Sequence, residues 1–221
     1  MKKILYSVAL AACCMGTMTS CSDFLDASNK SNVTDKQTFA TKEGFNSLVN
    51  DAYQHLQNVY AAPLFTSCFS AGTDMYADAR NKMNEALNTY ETLTPENTDI
   101  KNLYTYLYSG IRAANSVSYY AQTAQVDDKT KGQLIGEARV LAAYEYYLLV
   151  NNFGGVPIMK DFLTTADTGY PKSSAADVYA YIISELEDVI SKNVLQASTA
   201  TKGGGRISQE TAKAILAKTY L

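Results

Sequence analysis

The sequence GEARVLAAYEYYLLVNNFGGVPI, residues 136–158, is the most informative about the fold class, because it encodes a helix that is apolar on most of its surface. One face carries Ile135, Ala138, Leu141, Ala142, Tyr146, Leu149 and Phe153, and a second face carries Val140, Ala143, Tyr147 and Val150. A helix with two apolar faces is buried among other elements. Gly154 can form a left-handed cap and Pro157 blocks continuation, so we predict a central helix from Gly132 to Phe153.

Four further helices are predicted around this central one, because apolar residues recur at spacings of three and four. Two of them cover residues 43–60 and 99–125. A third begins after Ser174, which forms a capping box with Asp177, and a fourth begins after Ser208. Residues 156–163 are expected to be extended, but no strand pattern is convincing. The sequence therefore predicts an all-α bundle or helical repeat.

Residues 62–98 differ from the rest of the chain, because they contain Pro63, Gly72 and Pro95 and no long apolar period. We predict a long loop region with short helical pieces. Loops of this length inside a compact domain are uncommon and often carry function.

Composition excludes several classes of site. The chain has 221 residues, of which 47% are hydrophobic, with a formal charge of −3 and a pI near 5.2. An acidic chain without a basic block is a poor candidate for binding nucleic acid through phosphates. The single histidine, His55, excludes a two-histidine metal centre and is expected at the surface or boundary of its helix. Cys68 lies in an apolar context and is predicted to be a small buried hydrophobe. We predict no metal or cofactor site.

Residues 1–20, MKKILYSVALAACCMGTMTS, have the organisation of a secretory signal peptide. Lys2 and Lys3 precede an apolar run that is too short to span a bilayer as a helix. The next residue is Cys21, and the sequence MTSC resembles a bacterial lipobox, in which lipid is attached to the cysteine. The alternative is ordinary signal cleavage before an ordinary cysteine.

Charged residues on the predicted buried helix should be paired, because an unpaired buried charge is unfavourable. Glu137 and Arg139 are two residues apart and face different sides, so we expect them to pair with other helices. Glu145 lies on the same helix, and its charge is also expected to be paired. The acidic residues Glu185, Glu187 and Asp188 are expected to form the solvent face of the helix after Ser174.

Four segments, in this order along the chain, resemble the SusD/RagB family of outer-membrane nutrient-uptake lipoproteins. They are CSDFLD (21–26), the 136–158 stretch, YPKSSAADVYAYIISELEDVI (170–190) and GRISQETAKAILAKTYL (205–221). The resemblance implies an all-α, SusD-like fold with tetratricopeptide-like helix pairs and long loops. It also implies a signal peptide over residues 1–20, a lipidated N-terminus and linker over 21–42, and an N-terminal helical domain over 43–221, truncated at its C-terminus.

The resemblance further implies a function. The protein would be anchored by lipid at Cys21 on the outer face of the outer membrane. There it would capture oligosaccharides or polysaccharides and deliver them to a SusC-like TonB-dependent transporter. It would bind rather than catalyse. Family members are usually much longer and often bind ligand with tryptophan, whereas this chain has no tryptophan.

Candidate ligand-binding residues are Tyr76, Arg80, Asn81 and Tyr90, in the loop region that contributes to the site in the family. Sugars bind to aromatic platforms flanked by polar groups, and this loop supplies both. The alternative is a solvated loop with structural turn residues. The helical tyrosines are predicted to serve packing: Tyr104, Tyr108, Tyr144, Tyr146 and Tyr147.

Two other classes of function stay open on the sequence. One is a scaffold that only docks to the transporter and binds no nutrient. The other is a secreted glycan hydrolase, although the sequence shows no nucleophile–base pair, phosphate loop or metal cluster, and nothing places two carboxylates across a cleft.

Overall fold

The computed structural model describes residues 35–61, 63–76, 85–165, 169–199 and 205–221. These ranges form α1 (Asp35–Ala40), α2 (Lys42–Tyr60), α3 (Leu64–Phe69), α4 (Glu85–Thr89), α5 (Thr98–Tyr120), α6 (Asp128–Phe153), α7 (Ala175–Lys192) and α8 (Gln209–Tyr220). The only extended pairing within the described ranges is an isolated bridge between Thr73 and Tyr76. The predicted all-α fold is confirmed. None of the helices described here is long and apolar enough to cross a membrane.

Helix α6 is the central element, as predicted from its two apolar faces. It packs against α2, α5 and α7, and α7 in turn packs against α8. Leu141, Tyr146 and Leu149 of α6 are at most 1% exposed. Burying one such side chain stabilises the fold by roughly 1.5–3 kcal/mol, so this one helix supplies a large part of the core.

Side-chain caps fix where the long helices begin. The Ser174–Asp177 capping box of α7 is present, and Ser208 caps α8 by accepting a hydrogen bond from the backbone N–H of Thr211. Helix α6 begins at Asp128 and not at Gly132, because the Asp127 carboxylate accepts a bond from the Thr130 N–H at 2.9 Å.

The other predicted boundary that differs is the end of α5. This helix ends at Tyr120 and not at Gln125. The N–H of Gln125 donates to the carbonyl of Ala40 at 2.7 Å, which takes the chain off the helix axis. Ala40 ends α1, a short helix inside the segment 21–42 that was predicted to be a lipidated terminus and linker.

The region 62–98 is a loop with short helices, as predicted, since it contains only α3 and α4 among its described residues. Residues 156–163 have no regular secondary structure and lie along α5. Two side chains of α5 hold them there: the Tyr108 hydroxyl donates to Pro157 O at 2.7 Å, and Asn115 Nδ2 donates to Met159 O at 2.9 Å.

The predicted pairing of buried charges is confirmed for Glu137 and Arg139. Glu137 is fully buried, and its Oε2 lies 2.7 Å from Nε of Arg206, just before α8. Arg139 Nε lies 2.7 Å from Oε2 of Glu185, and Nη1 contacts Asp188 at 2.5 Å. The predicted solvent face of α7 is confirmed for Glu187, which is exposed, whereas Glu185 and Asp188 are only partly exposed because they neutralise Arg139.

Glu145 departs from the rule that buried charges are paired. It is fully buried, and neither carboxylate oxygen has a hydrogen-bond partner among the described residues. Burial raises the pKa of Glu145 well above its usual range. The carboxyl group lies against Gly110 of α5, where a methyl group would overlap it. Glycine at position 110 therefore gives this side chain its space at the α5–α6 contact.

Candidate ligand-binding cavity at the carboxyl end of α6

Tyr90 is held in an unusual backbone conformation beside the loop after α3. Its φ of +63° lies in the left-handed region, which residues other than glycine seldom adopt. Its hydroxyl donates to the carbonyl of Gly72 at 3.4 Å, and any side chain at Gly72 would collide with the Tyr90 ring. Such backbone strain concentrates at functional sites. Tyr90 nevertheless remains 57% exposed, so its ring is available to a ligand.

Tyr90 lines a cavity of about 380 Å³ between α3, α4, the start of α5 and the end of α6. This volume is within the range of small-ligand sites, about 300–1,000 Å³. The apolar part of the lining consists of Ala71, Leu87, Ile100 and Leu103. The polar part comes from the last turn of α6, where Asn151 and Asn152 precede Phe153.

The amides of Asn151 and Asn152 are oriented by their own helix. Asn151 Nδ2 donates to Tyr147 O at 2.7 Å, and Asn152 Nδ2 donates to Leu148 O at 2.8 Å. Asn151 Oδ1 also accepts a bond from the Tyr179 hydroxyl at 3.0 Å. The amide oxygens and the carbonyls of the last turn give this wall a partial negative charge, since a helix carries about −0.5 charge at its C-terminus. Such a wall favours hydroxyl donors over anions.

Two aromatic residues, Tyr90 and Phe153, line the cavity with these amides. The rings of Phe153 and Tyr104 meet edge to face with centroids 5.2 Å apart, and Tyr104 packs on Tyr108 at 4.7 Å, so a cluster of rings supports Phe153. Aromatic faces next to oriented amides match a sugar ring, which has apolar C–H faces and a rim of hydroxyl groups. The chemistry of the cavity therefore fits a neutral polyhydroxylated ligand.

Cys68 also lines the cavity but is a poor nucleophile. The thiol is half-buried, and burial raises its pKa to about 11. A thiol with so high a pKa is protonated at neutral pH. Cys68 was predicted to be a small buried hydrophobe; it packs against the core as predicted but is only half-buried. His55 is a boundary residue of α2, also as predicted, with Nε2 3.8 Å from Asp51 Oδ1.

The predicted binding residues have different outcomes. Tyr90 lines the cavity, whereas Tyr76 is 38% exposed on the loop after α3 and does not line it. Arg80 and Asn81 lie outside the described residues, as does Cys21. The sequence reasoning missed Asn151, Asn152 and Phe153. The signal that could have found them is the triplet NNF, two amides and an aromatic ring at the end of a helix.

The helical tyrosines contribute mainly to packing, as predicted. Tyr146 is fully buried, and its hydroxyl accepts a bond from the N–H of Met159 at 2.7 Å. The Tyr144 hydroxyl contacts that of Tyr60, and its ring stacks on Tyr147. Within the described ranges, no group of three or more His, Cys, Asp or Glu side chains could hold a metal ion.

Comparison with known proteins places this chain in a family. A family model for SusD-like proteins, described as starch-binding and associating with the outer membrane, matches residues 23–221. A SusD-like protein, P38, of Formosa agariphila is 28% identical over 190 residues, which are 84% of this chain and 36% of that relative.

Solved structures agree with the family match. Surface glycan-binding protein A from Bacteroides uniformis superimposes with a TM-score of 0.65 at 26% identity, covering 80% of this chain and 41% of that one. A laminarin-binding SusD-like protein superimposes with a TM-score of 0.66 at 22% identity, covering 81% of this chain and 40% of that one. The chain thus spans less than half the length of these relatives. It belongs to the SusD-like family.

Proposed function

We propose that this protein captures glycans at the cell surface and that the Tyr90 cavity is a glycan-binding site. The observation that carries the proposal is that the exposed Tyr90 ring and the half-buried Phe153 ring line one cavity together with the oriented amides of Asn151 and Asn152. Family membership supports the same ligand class.

The cavity supports binding rather than hydrolysis. Glycoside hydrolysis by the common mechanisms uses two carboxyl groups on opposite sides of the sugar. The described lining of this cavity contains amides, hydroxyls, a thiol and apolar groups, but no carboxylate. The raised pKa of Cys68 also argues against catalysis in this cavity, because it keeps the thiol uncharged.

The proposed setting is the outer face of the outer membrane, with lipid on Cys21 and delivery of the glycan to a SusC-like TonB-dependent transporter. Residues 1–20 would direct export, 21–42 would connect the lipid to the bundle, and 43–221 would form the helical binding domain. The lipobox-like sequence before Cys21 and the family's association with the outer membrane support this arrangement.

Titration of the purified protein with soluble starch, laminarin and a mannan tests glycan binding. We expect saturable heat or gel retardation with at least one polysaccharide and no shortened products after prolonged incubation. If the protein binds none of the three polysaccharides, the result would contradict glycan capture and favour the alternative of a docking scaffold. Release of shortened sugars would instead identify a hydrolase.

Replacing Cys21 with alanine in the full-length protein should release it from the membrane. Lipid contributes about 0.8 kcal/mol per buried CH₂, so two or more acyl chains hold a protein firmly and their loss frees it. Fractionation of cells fed a labelled fatty acid measures both membrane association and labelling. The Cys68→Ala variant is the matched control and should keep both. A Cys21→Ala variant that still sediments with membranes and still carries label would contradict a lipid anchor at this residue.

A further inference from the structure

A second set of cavities lies around Arg112 of α5, away from the Tyr90 cavity. One has a volume of about 370 Å³ and lies between α1, α2 and α5. The other has a volume of about 330 Å³ and lies between α5 and residues 159–165. The exposed side chain of Arg112 lines both cavities. Neither cavity shares a lining residue with the Tyr90 cavity.

Arg112 is held in place by the segment that lies along α5. Its guanidinium lies over the Phe162 ring, 5.0 Å from the centroid, and Nη2 is 3.5 Å from the carbonyl of Leu163. Asn115 fixes the same segment, because its Nδ2 donates to Met159 O at 2.9 Å and lies 3.4 Å from Asp161 O. The cation and the ring beneath it are therefore positioned before any ligand arrives.

The larger Arg112 cavity has an aromatic side and a polar side. Its aromatic side is continuous, since Tyr120 lies 4.7 Å from Phe39 and 5.9 Å from Phe162 between ring centroids. Its polar side includes Asp51 and His55, whose side chains are 60% and 25% exposed. Aromatic faces opposite hydrogen-bonding groups are the arrangement that binds the C–H faces and hydroxyl rim of a sugar.

The charges around Arg112 favour a neutral ligand over an anion. Asp35 and Asp51 line the larger cavity, and Asp161 lines the smaller one. Three carboxylates near one guanidinium would repel a phosphate or a uronate, since like charges at short range are unfavourable. Carboxylates accept hydrogen bonds from sugar hydroxyls, and a guanidinium donates to hydroxyl oxygens, so a neutral saccharide can use both.

We propose that the Arg112 cavities form a second saccharide-binding site on this chain. The ligand class rests on the proposed glycan-binding function, whereas the location rests on the geometry around Arg112. Leu103 lines the first site and Arg112 the second, so the two are separated by roughly 13 Å along the axis of α5. Two sites on one chain would hold a polysaccharide more tightly than either site alone, because the second contact is intramolecular.

Calorimetric titration with maltohexaose and, separately, laminarihexaose tests the second site through stoichiometry. We expect two hexasaccharides per natural protein, one per Tyr90→Ala variant, one per Arg112→Ala/Phe162→Ala variant, and none when all three substitutions are combined. Lys101→Ala is the matched control, because Lys101 is an exposed cation of the same helix outside these cavities, and it should leave two sites.

The outcomes separate the two proposals. One hexasaccharide per natural protein, lost completely in Tyr90→Ala, would overturn the second site and leave the proposed function intact. Binding to neither probe would overturn the second site, whereas the proposed function would be overturned only if starch, laminarin and mannan also failed to bind. Circular dichroism checks that the double variant is folded. If the double variant is not folded, the single variant Arg112→Ala should lower the saccharide affinity of one of the two sites at least tenfold. Unchanged affinity at both sites would overturn the inference.

Discussion

Replacing Arg206 with methionine is expected to lower the free energy of unfolding by about 3–5 kcal/mol, the range for removing one partner of a buried ion pair. Glu137 is fully buried, and its Oε2 is 2.7 Å from Arg206 Nε. The Tyr53 hydroxyl also donates to Glu137 at 2.9 Å, but a neutral donor does not balance a buried negative charge. Arg206 further donates to Asn50 Oδ1 at 2.8 Å, so its loss also detaches the segment before α8 from α2.

Urea denaturation measures this effect, and two variants control it. Arg139→Met breaks pairs whose acidic side chains are 25% and 39% exposed, and it should have a smaller effect, because water stabilises the carboxylates left behind. Adding Glu137→Gln to Arg206→Met should recover part of the loss by removing the uncompensated charge. A stability of Arg206→Met within about 1 kcal/mol of the natural protein would contradict this account of the network.

A second large effect is expected on the free energy of unfolding, which should depend on pH because of Glu145. Burial raises the pKa of Glu145 in the folded protein well above its usual range, so the folded state keeps a proton that the unfolded state releases. The folded state therefore binds more protons, and stability falls as the pH rises. The stabilising contribution is complete below the ordinary glutamate pKa of about 4.3 and is lost as the pH rises through the folded pKa.

Glu145→Gln removes this titration while keeping the size of the side chain. Compared with the natural protein, the variant should gain stability by about 1.4 kcal/mol for each pH unit between the two pKa values. Urea denaturation of both proteins at successive pH values from about 5 upward gives the difference directly. Glu187→Gln, a substitution at an exposed residue of α7, is the matched control. A constant difference between the natural protein and Glu145→Gln across this range would show that Glu145 is not held neutral in the fold.

The main helices could be predicted because their apolar periods are strong. The two apolar faces of α6 could belong only to a helix surrounded by others, and the Ser174–Asp177 box marked the start of α7. The predicted start of α6 at Gly132 was four residues too late, because the pair Asp127 and Asp128 is as typical of a turn as of a helix N-terminus. Only the hydrogen bond from the Thr130 N–H shows that Asp127 is a cap.

The candidate site could be predicted only in part. Tyr90 belongs to a loop region that the family resemblance singled out, but Asn151 and Asn152 lie about 60 residues further along and meet it only through packing. That the Glu145 carboxyl group has no hydrogen-bond partner among the described residues could not be predicted for the same reason. The sequence does not show that the helix surface facing it is Gly110, which offers space but no side-chain donor.

Polysaccharide binding by the Tyr90→Ala variant, compared with that by Tyr220→Ala, tests whether the Tyr90 cavity binds glycan. Both remove an exposed tyrosine, 57% and 61% exposed respectively, but only Tyr90 lines the cavity. With the polysaccharide that the natural protein binds best, we predict at least a tenfold weaker affinity for Tyr90→Ala, about 1.4 kcal/mol, and no change for Tyr220→Ala. Equal affinity of Tyr90→Ala and the natural protein would contradict glycan binding at this cavity.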